Sequence, residues 1–273
     1  MSRLALPGRG TARALLALGA LAALAALAGL GWGLAGQAHG ERTQSGNLIV
    51  SLDGGISPLK LPRDHAAPVA VRLEGGLQTA DGALLPRVRT IELGLPGQAV
   101  ITTEGLATCT LRQLRNRTSE QALSTCGQAL IGHGALQADV VLPNQGPFQI
   151  RARLLAFNAR VDGHRTVIVH AVAAHPPTAV VLPFRIRRGS GRFGTALVAD
   201  LPGELGPYPH FSHFELILSR RYSYRGHRYS YLSSSCPIPK SNTAGFFSFA
   251  KADFTLAGGR RVGTAITRGC RAR

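Results

Sequence analysis

Lysine is almost missing from this chain: Lys60, Lys240 and Lys251 are the only lysines among 31 basic residues, and the rest are arginine. Acidic residues number 14, and no pair of carboxylates stands out as the acid and base of glycosidase-type chemistry. Asp53, Asp81, Asp162 and Asp200 read instead as turn residues. Cysteine occurs four times and never at the C-x₂₋₄-C spacing of a zinc clip. No G-x-S-x-G elbow frames a nucleophilic serine: Gly189-Ser190-Gly191 is a turn, and Ser233-Ser234-Ser235 runs into a cysteine and a proline. Glycine pairs fall at expected hairpins and none opens a helix, which excludes a phosphate-cradling loop. His210 and His213 beside Tyr208, and His170 with His175, lack a third ligand at a fitting spacing. No metal or cofactor is therefore expected. A non-catalytic role is the leading expectation, and a hydrolase with dispersed residues stays open.

What is present begins with a three-part start. Arg3, Arg9 and Arg13 give a positive segment without an acidic residue. Residues 14–34 then run without charge as alanine, leucine and glycine around one tryptophan. A helix of that length, at about 1.5 Å per residue, reaches roughly 30 Å, the thickness of a hydrocarbon core. Small residues at Gly36-Gln37-Ala38 offer a cleavage site. Residues 1–38 thus read as a signal peptide or an N-terminal membrane anchor. In either case the arginines keep the N-terminus cytoplasmic and place the remainder outside. Membrane contact is expected only through residues 14–34, and only if they are retained. The protein is then secreted or anchored to the outer face of the cytoplasmic membrane.

Roughly 235 residues remain, enough for one large domain. The formal charge is +17, of which Arg3, Arg9 and Arg13 carry three. Such an excess suits anionic cell-envelope polymers or headgroups. An arginine, alanine and glycine bias scattered along the whole chain produces the same number without a site, and no specific nucleic-acid binding is expected. Cys109, Cys126, Cys236 and Cys270 form an even set in an exported chain, which predicts disulfides. Four cysteines allow three connectivities; short loops close most easily, favouring Cys109–Cys126 and Cys236–Cys270.

Residues 39–46 read as a polar linker, and 47–273 as a single β-rich domain with a sub-boundary near 143. Two similar units, 48–55 and 69–76, each end a short strand in an acidic residue and two glycines, suggesting a repeated strand-turn. One short helix is expected: Thr118-x-x-Gln121 has the form of a capping box. Ala122, Leu123, Cys126, Ala129 and Leu130 then share a face, and Gly132 is the stop. Thr110-x-x-Gln113 starts a further turn. From 148 onward four hairpin signals follow one another, at Asp162-Gly163, at 188–191, at Gly226-His227 and at Gly258-Gly259. The fold class is mainly β: an antiparallel β-sandwich or a strongly curved sheet, stapled by disulfides.

The most distinctive segment is residues 220–231. A turn at Gly226-His227 would pair Arg225 with Arg228, Tyr224 with Tyr229 and Tyr222 with Tyr231, setting all four tyrosines on one face. That face would serve either as hairpin packing or as an arginine–tyrosine platform for glycans or polyanions. A carrier holding an apolar ligand between curved sheets is a further alternative. Residues 220–226, Tyr231-Leu232, Cys236-Pro237-Ile238-Pro239-Lys240 and Ala156-Phe157-Asn158 resemble exported β-rich proteins of high-GC Gram-positive bacteria. So do Cys109 and Cys126-x-x-Ala129-Leu130-Ile131-Gly132. That group carries no assigned chemistry, so the resemblance implies export and supplies no ligand or catalytic residue.

Overall fold

Apolar and polar residues alternate along most of the chain, and a period of two buries one face only if the backbone is extended. The computed structural model describes residues 40–142, 144–201 and 209–273. The expected signal or anchor at 1–38 lies outside the described residues, as does Pro143 at the expected sub-boundary. The chain opens on β1 (Glu41–Ser45), β2 (Leu48–Ser57), the short β3 (Lys60–Leu61) and β4 (Ala67–Pro68), then β5 (Ala70–Thr79), β6 (Val88–Pro96) and β7 (Val100–Ile101). Two helices follow, α1 (Leu111–Leu114) and α2 (Ser119–Cys126). Next come β8 (Leu130–Val140), β9 (Phe148–Val161), β10 (His164–Ala173), β11 (Thr178–Arg188), β12 (Phe193–Asp200) and β13 (Pro209–Leu218). The last are β14 (Arg221–Tyr224), β15 (His227–Ser230), β16 (Leu232–Ser234), β17 (Ala244–Leu256) and β18 (Arg261–Ala272).

Thirteen strands join one sheet in the order β1-β2-β5-β13-β8-β9-β10-β11-β12-β6-β17-β18-β3. Every pairing between its long strands is antiparallel. Strand twist accumulates over so many strands, and the sheet curls until β18 lies against β1 and β2. Side chains rather than a ladder close this seam. Arg268 donates through Nε to the Gly54 carbonyl at 2.6 Å and through Nη2 to Asp53. Thr43 Oγ1 donates to Thr264 Oγ1 at 2.8 Å. Of the two expected architectures, the strongly curved sheet is the one formed.

β9 shows how the sequence divides between two cores. Its first half alternates between exposed and covered residues; from Leu154 to Asn158 every residue is buried. Ala152, Leu154 and Ala156 face the inside of the curl with the main core. Leu155, Phe157 and Ala159 face outward, where Leu114 of α1 and Ala122 and Cys126 of α2 cover them. Both capping boxes are made, Thr110 with Gln113 and Thr118 with Gln121. The Cys109–Cys126 bridge, with Cα atoms 5.6 Å apart, fastens this outer layer. Cys236–Cys270, at 5.8 Å, ties the segment after β16 to β18. Paired cysteines belong to an oxidising, extracytoplasmic environment. Among the described residues no helix is long and apolar enough to cross a membrane.

The structure corrects four local expectations. Residues 41–45 of the expected linker form β1, an edge strand whose wholly exposed side chains explain its polar sequence. The two Gly-Gly pairs are not turns. β2 and β5 run through them and pair with each other, Asp53 opposite Glu74, and a Cβ at Gly54 would lie 2.3 Å from the Arg72 carbonyl oxygen. α2 ends at Cys126, before the expected stop at Gly132, because a 3₁₀ turn at Gly127–Ala129 leads straight into β8. The sheet pairing of β8 with β9 over ten positions also leaves no domain division near 143. The Asp162-Gly163 hairpin forms as expected, with φ of 50° and 76°, both positive as a type I′ turn requires.

Candidate functional site: an apolar cavity inside the curl

The concave side of the sheet is packed on one flank and hollow on the other. Leu52, Leu73, Phe249, Phe254 and Ile266 fill the first flank. The second encloses a cavity of about 630 Å³, walled by β13, β8, β9, β10, β11 and β6. Period two supplies the wall: Leu136, Ala138, Val140 and Leu142 from β8 and beyond, Phe148, Ile150, Ala152 and Leu154 from β9. Val169, Ala171 and Ala173 come from β10, with Val180, Leu182 and Phe184 from β11. At about 3.3 Å per residue, Leu136 to Leu142 spans about 20 Å. That exceeds the roughly 15 Å that one leaflet contributes to a bilayer's hydrocarbon core.

The hollow has an identifiable cause in the sequence. Leu136, Ala152, Ala173 and Thr178 stand side by side on four neighbouring strands, and Leu154, Ala171 and Val180 form the adjacent row. Ala138, Ala152, Ala171 and Ala173 therefore put methyl groups where a packed core would carry larger side chains. A bulge shapes the opposite side. Ser212 is an extra residue between the pairs Phe211–Ala138 and His213–Gln137, so Phe211 and Phe214 both point inward although three apart. Their rings lie 6.0 Å apart, and Phe254 backs Phe211 at 5.8 Å.

A sealed, dry void of 630 Å³ would cost about 15 kcal/mol at roughly 24 cal/mol per Å³. That equals the whole stability of a robust domain, so a closed packing defect is not a tenable description. The cavity is not sealed: its exposed described lining residues, Arg89, Pro176 and Thr178, gather with the half-buried Arg87, Leu142 and Phe148 at one end of the sheet. Its size falls in the range of about 300–1,000 Å³ common to small-molecule sites. Among the described lining residues, Thr178 carries the only hydroxyl and Arg87 and Arg89 the only charges. Such a lining can hold an apolar chain, and it offers no nucleophile with a base.

The residues singled out from sequence lie elsewhere, and their pairing differs from expectation. The turn is Arg225-Gly226, with φ of 48° and 78°. Tyr222 therefore pairs with Tyr229, Ser223 with Arg228 and Tyr224 with His227. Both turn residues take positive φ, which the type I′ geometry demands and a Gly226-His227 turn would not meet. Tyr222, Tyr224 and Tyr229 share one face, with Tyr222 and Tyr229 stacked 5.6 Å apart. Tyr231 leaves that face altogether and is buried in the main core. Its hydroxyl has no partner among the described residues, and burial pushes its pKa far above the ordinary value. The tyrosine face is turned onto the chain itself. Tyr222 donates to the Glu104 carbonyl at 2.8 Å, and a Cβ at Gly105 would land 2.1 Å from the Tyr224 ring. Arg225 and Arg228 remain exposed, with Arg225 5.1 Å from the centre of the Tyr224 ring.

Of the singled-out histidines, His210, His213 and His170 have structural partners, and His175 is exposed. His210 Nδ1 bonds the Leu85 carbonyl at 2.5 Å, and His213 Nε2 lies 3.5 Å from Glu74. His170, buried beneath the helices, donates through Nε2 to the Arg117 carbonyl at 3.1 Å. Burial lowers its pKa below the ordinary value, so the folded protein keeps it neutral where the unfolded chain takes up a proton. Stability is thus full above the unfolded value of about 6.5 and falls as pH drops through it, levelling off below the folded pKa. Thermal melts across that interval should show a declining Tm, and His170→Gln should flatten the decline.

Comparison of the chain with protein-family models, with curated proteins and with solved structures yields no match.

Proposed function

We propose that this protein is an exported carrier that shields one long apolar chain from water inside its curled sheet. The observation that carries the reading is the cavity of about 630 Å³ on the concave face, lined almost wholly by apolar side chains with Ala138, Ala152, Ala171 and Ala173 making room in its wall. The disulfides and the resemblance to exported bacterial proteins support action outside the cytoplasm, secreted or tethered through residues 14–34. A glycan or polyanion platform on the hairpin draws less support, because Tyr222 and Tyr224 are occupied by the segment around Gly105.

The test is displacement of Nile red, an apolar fluorophore, by a homologous series of straight-chain alcohols. Each added CH₂ buries about 0.8 kcal/mol of transfer free energy. Affinity should therefore rise roughly fourfold per carbon and level off once the chain fills the cavity. An absence of saturable displacement, or a rise that never levels, removes the carrier reading.

A further inference from the structure

We infer that the cavity selects amphiphiles with an anionic head, held at its mouth by Arg87 and Arg89; this rests on the carrier reading above. An apolar lining cannot solvate a charged group, so the polar end of any bound amphiphile must stay at the rim. Among the described residues the rim carries one sign of charge. Arg87 and Arg89 are the only charged groups among the described lining residues. The ion pairs of the described residues engage Arg72, Arg185 and Arg268, and neither of these two. Lys251, on the adjoining strand, is by contrast neutralised by Glu92 at 2.9 Å and Asp253 at 2.8 Å.

The backbone holds the two arginines in a specific way. β6 pairs Thr90 with Thr255 and Val88 with Leu256, which makes Arg89 an extra, bulged residue. Val88 and Ile91 consequently both point into the cavity, and Arg89 is released from strict alternation beside them. The Arg87 and Arg89 carbonyls accept from the amides of Ala257 and Leu201, each at 2.7 Å, so both positions are fastened to neighbouring segments. Two guanidinium groups two residues apart repel each other unless an anion lies between them. Guanidinium binds carboxylate and phosphate through paired hydrogen bonds, stronger than neutral ones. Thr178 stands at the same rim, its hydroxyl donating to the Pro176 carbonyl at 3.2 Å.

The test uses the full chain and Nile red as the displaced probe. Palmitate, palmitoyl lysophosphatidate and hexadecanol share one tail and differ in the head. Wild type should bind at least one of the two anions about tenfold more tightly than the alcohol. Palmitate ahead identifies a carboxylate head, and lysophosphatidate ahead a phosphate head. The double variant Arg87→Gln/Arg89→Gln should lose that preference, and a thermal melt matching that of wild type shows that it is folded. Equal affinities in wild type, or a preference that survives in the double variant, overturns the headgroup assignment and leaves the carrier reading standing. Failure of all three compounds to displace the probe overturns both.

Discussion

Replacing Ala152 by phenylalanine should weaken binding of an apolar chain by about a hundredfold or more while leaving the protein folded. Ala152 lies between Leu136 on β8 and Ala173 on β10, and its methyl group faces the cavity. A benzyl group there occupies the space a ligand would take. Inserting atoms into a packed core costs about 1–3 kcal/mol or more, but here the ring meets open volume, and cavity filling commonly stabilises by about 0.5–2 kcal/mol. Tm should hold or rise. Ala156 makes the matched control. It sits on the same strand with the same inward parity, is fully buried, and does not line the cavity. Ala156→Phe should therefore lower Tm sharply. Thermal melts with Nile red titrations separate the two. Equal destabilisation by both changes would mean that the wall at Ala152 is packed and the cavity account is wrong.

Removing the Cys236–Cys270 bridge should cost about 4 kcal/mol, and removing Cys109–Cys126 about 3 kcal/mol, on the loop-closure relation for separations of 34 and 17 residues. Their structural consequences should differ as well. Cys109–Cys126 fastens the helices to the outer face of β9 and β10, away from the cavity wall. Cys236 and Cys270 belong to the main core together with Tyr231 and Leu232. Denaturant unfolding of the two double-serine variants measures both costs. The Cys109→Ser/Cys126→Ser variant should still bind an apolar chain. Loss of binding there would place the ligand against the helical layer instead.

Much of the sheet was legible because short-range rules governed it. Asp162-Gly163 and Gly258-Gly259 mark turns between paired antiparallel strands, as expected. The capping boxes located both helices. What escaped depended on partners far away in the chain. Polar β1 is a strand only because β2 pairs with it. Gly54 and Gly76 look like turn residues but serve close strand approach. In the tyrosine hairpin, Arg225-Gly226 and Gly226-His227 were competing turns; the positive φ at Arg225 decided between them, and one step moved Tyr231 from the surface to the core. The cavity was the least legible feature. Ala152 and Ala156 are indistinguishable in sequence, and only what stands opposite them makes one a wall and the other a packed contact. Apolar alternation along β8 to β11 therefore predicts an inward face without saying whether that face meets protein or open space. The bulges at Arg89 and Ser212 leave no mark in the sequence either.

The most direct test asks where an acyl chain goes. Trp32 is the only tryptophan in the chain, so a Trp32→Phe background allows a single reporter to be placed at will. Phe148→Trp puts the indole on the cavity wall, and Phe246→Trp puts it at an exposed site, where the native ring is 82% accessible. Titration with a nitroxide-labelled fatty acid should quench the fluorescence of the Phe148→Trp protein saturably at one equivalent. The fluorescence of the Phe246→Trp protein should stay nearly unchanged. Equal quenching of the two proteins, or none in the Phe148→Trp protein, would contradict the assignment of this cavity as the ligand site.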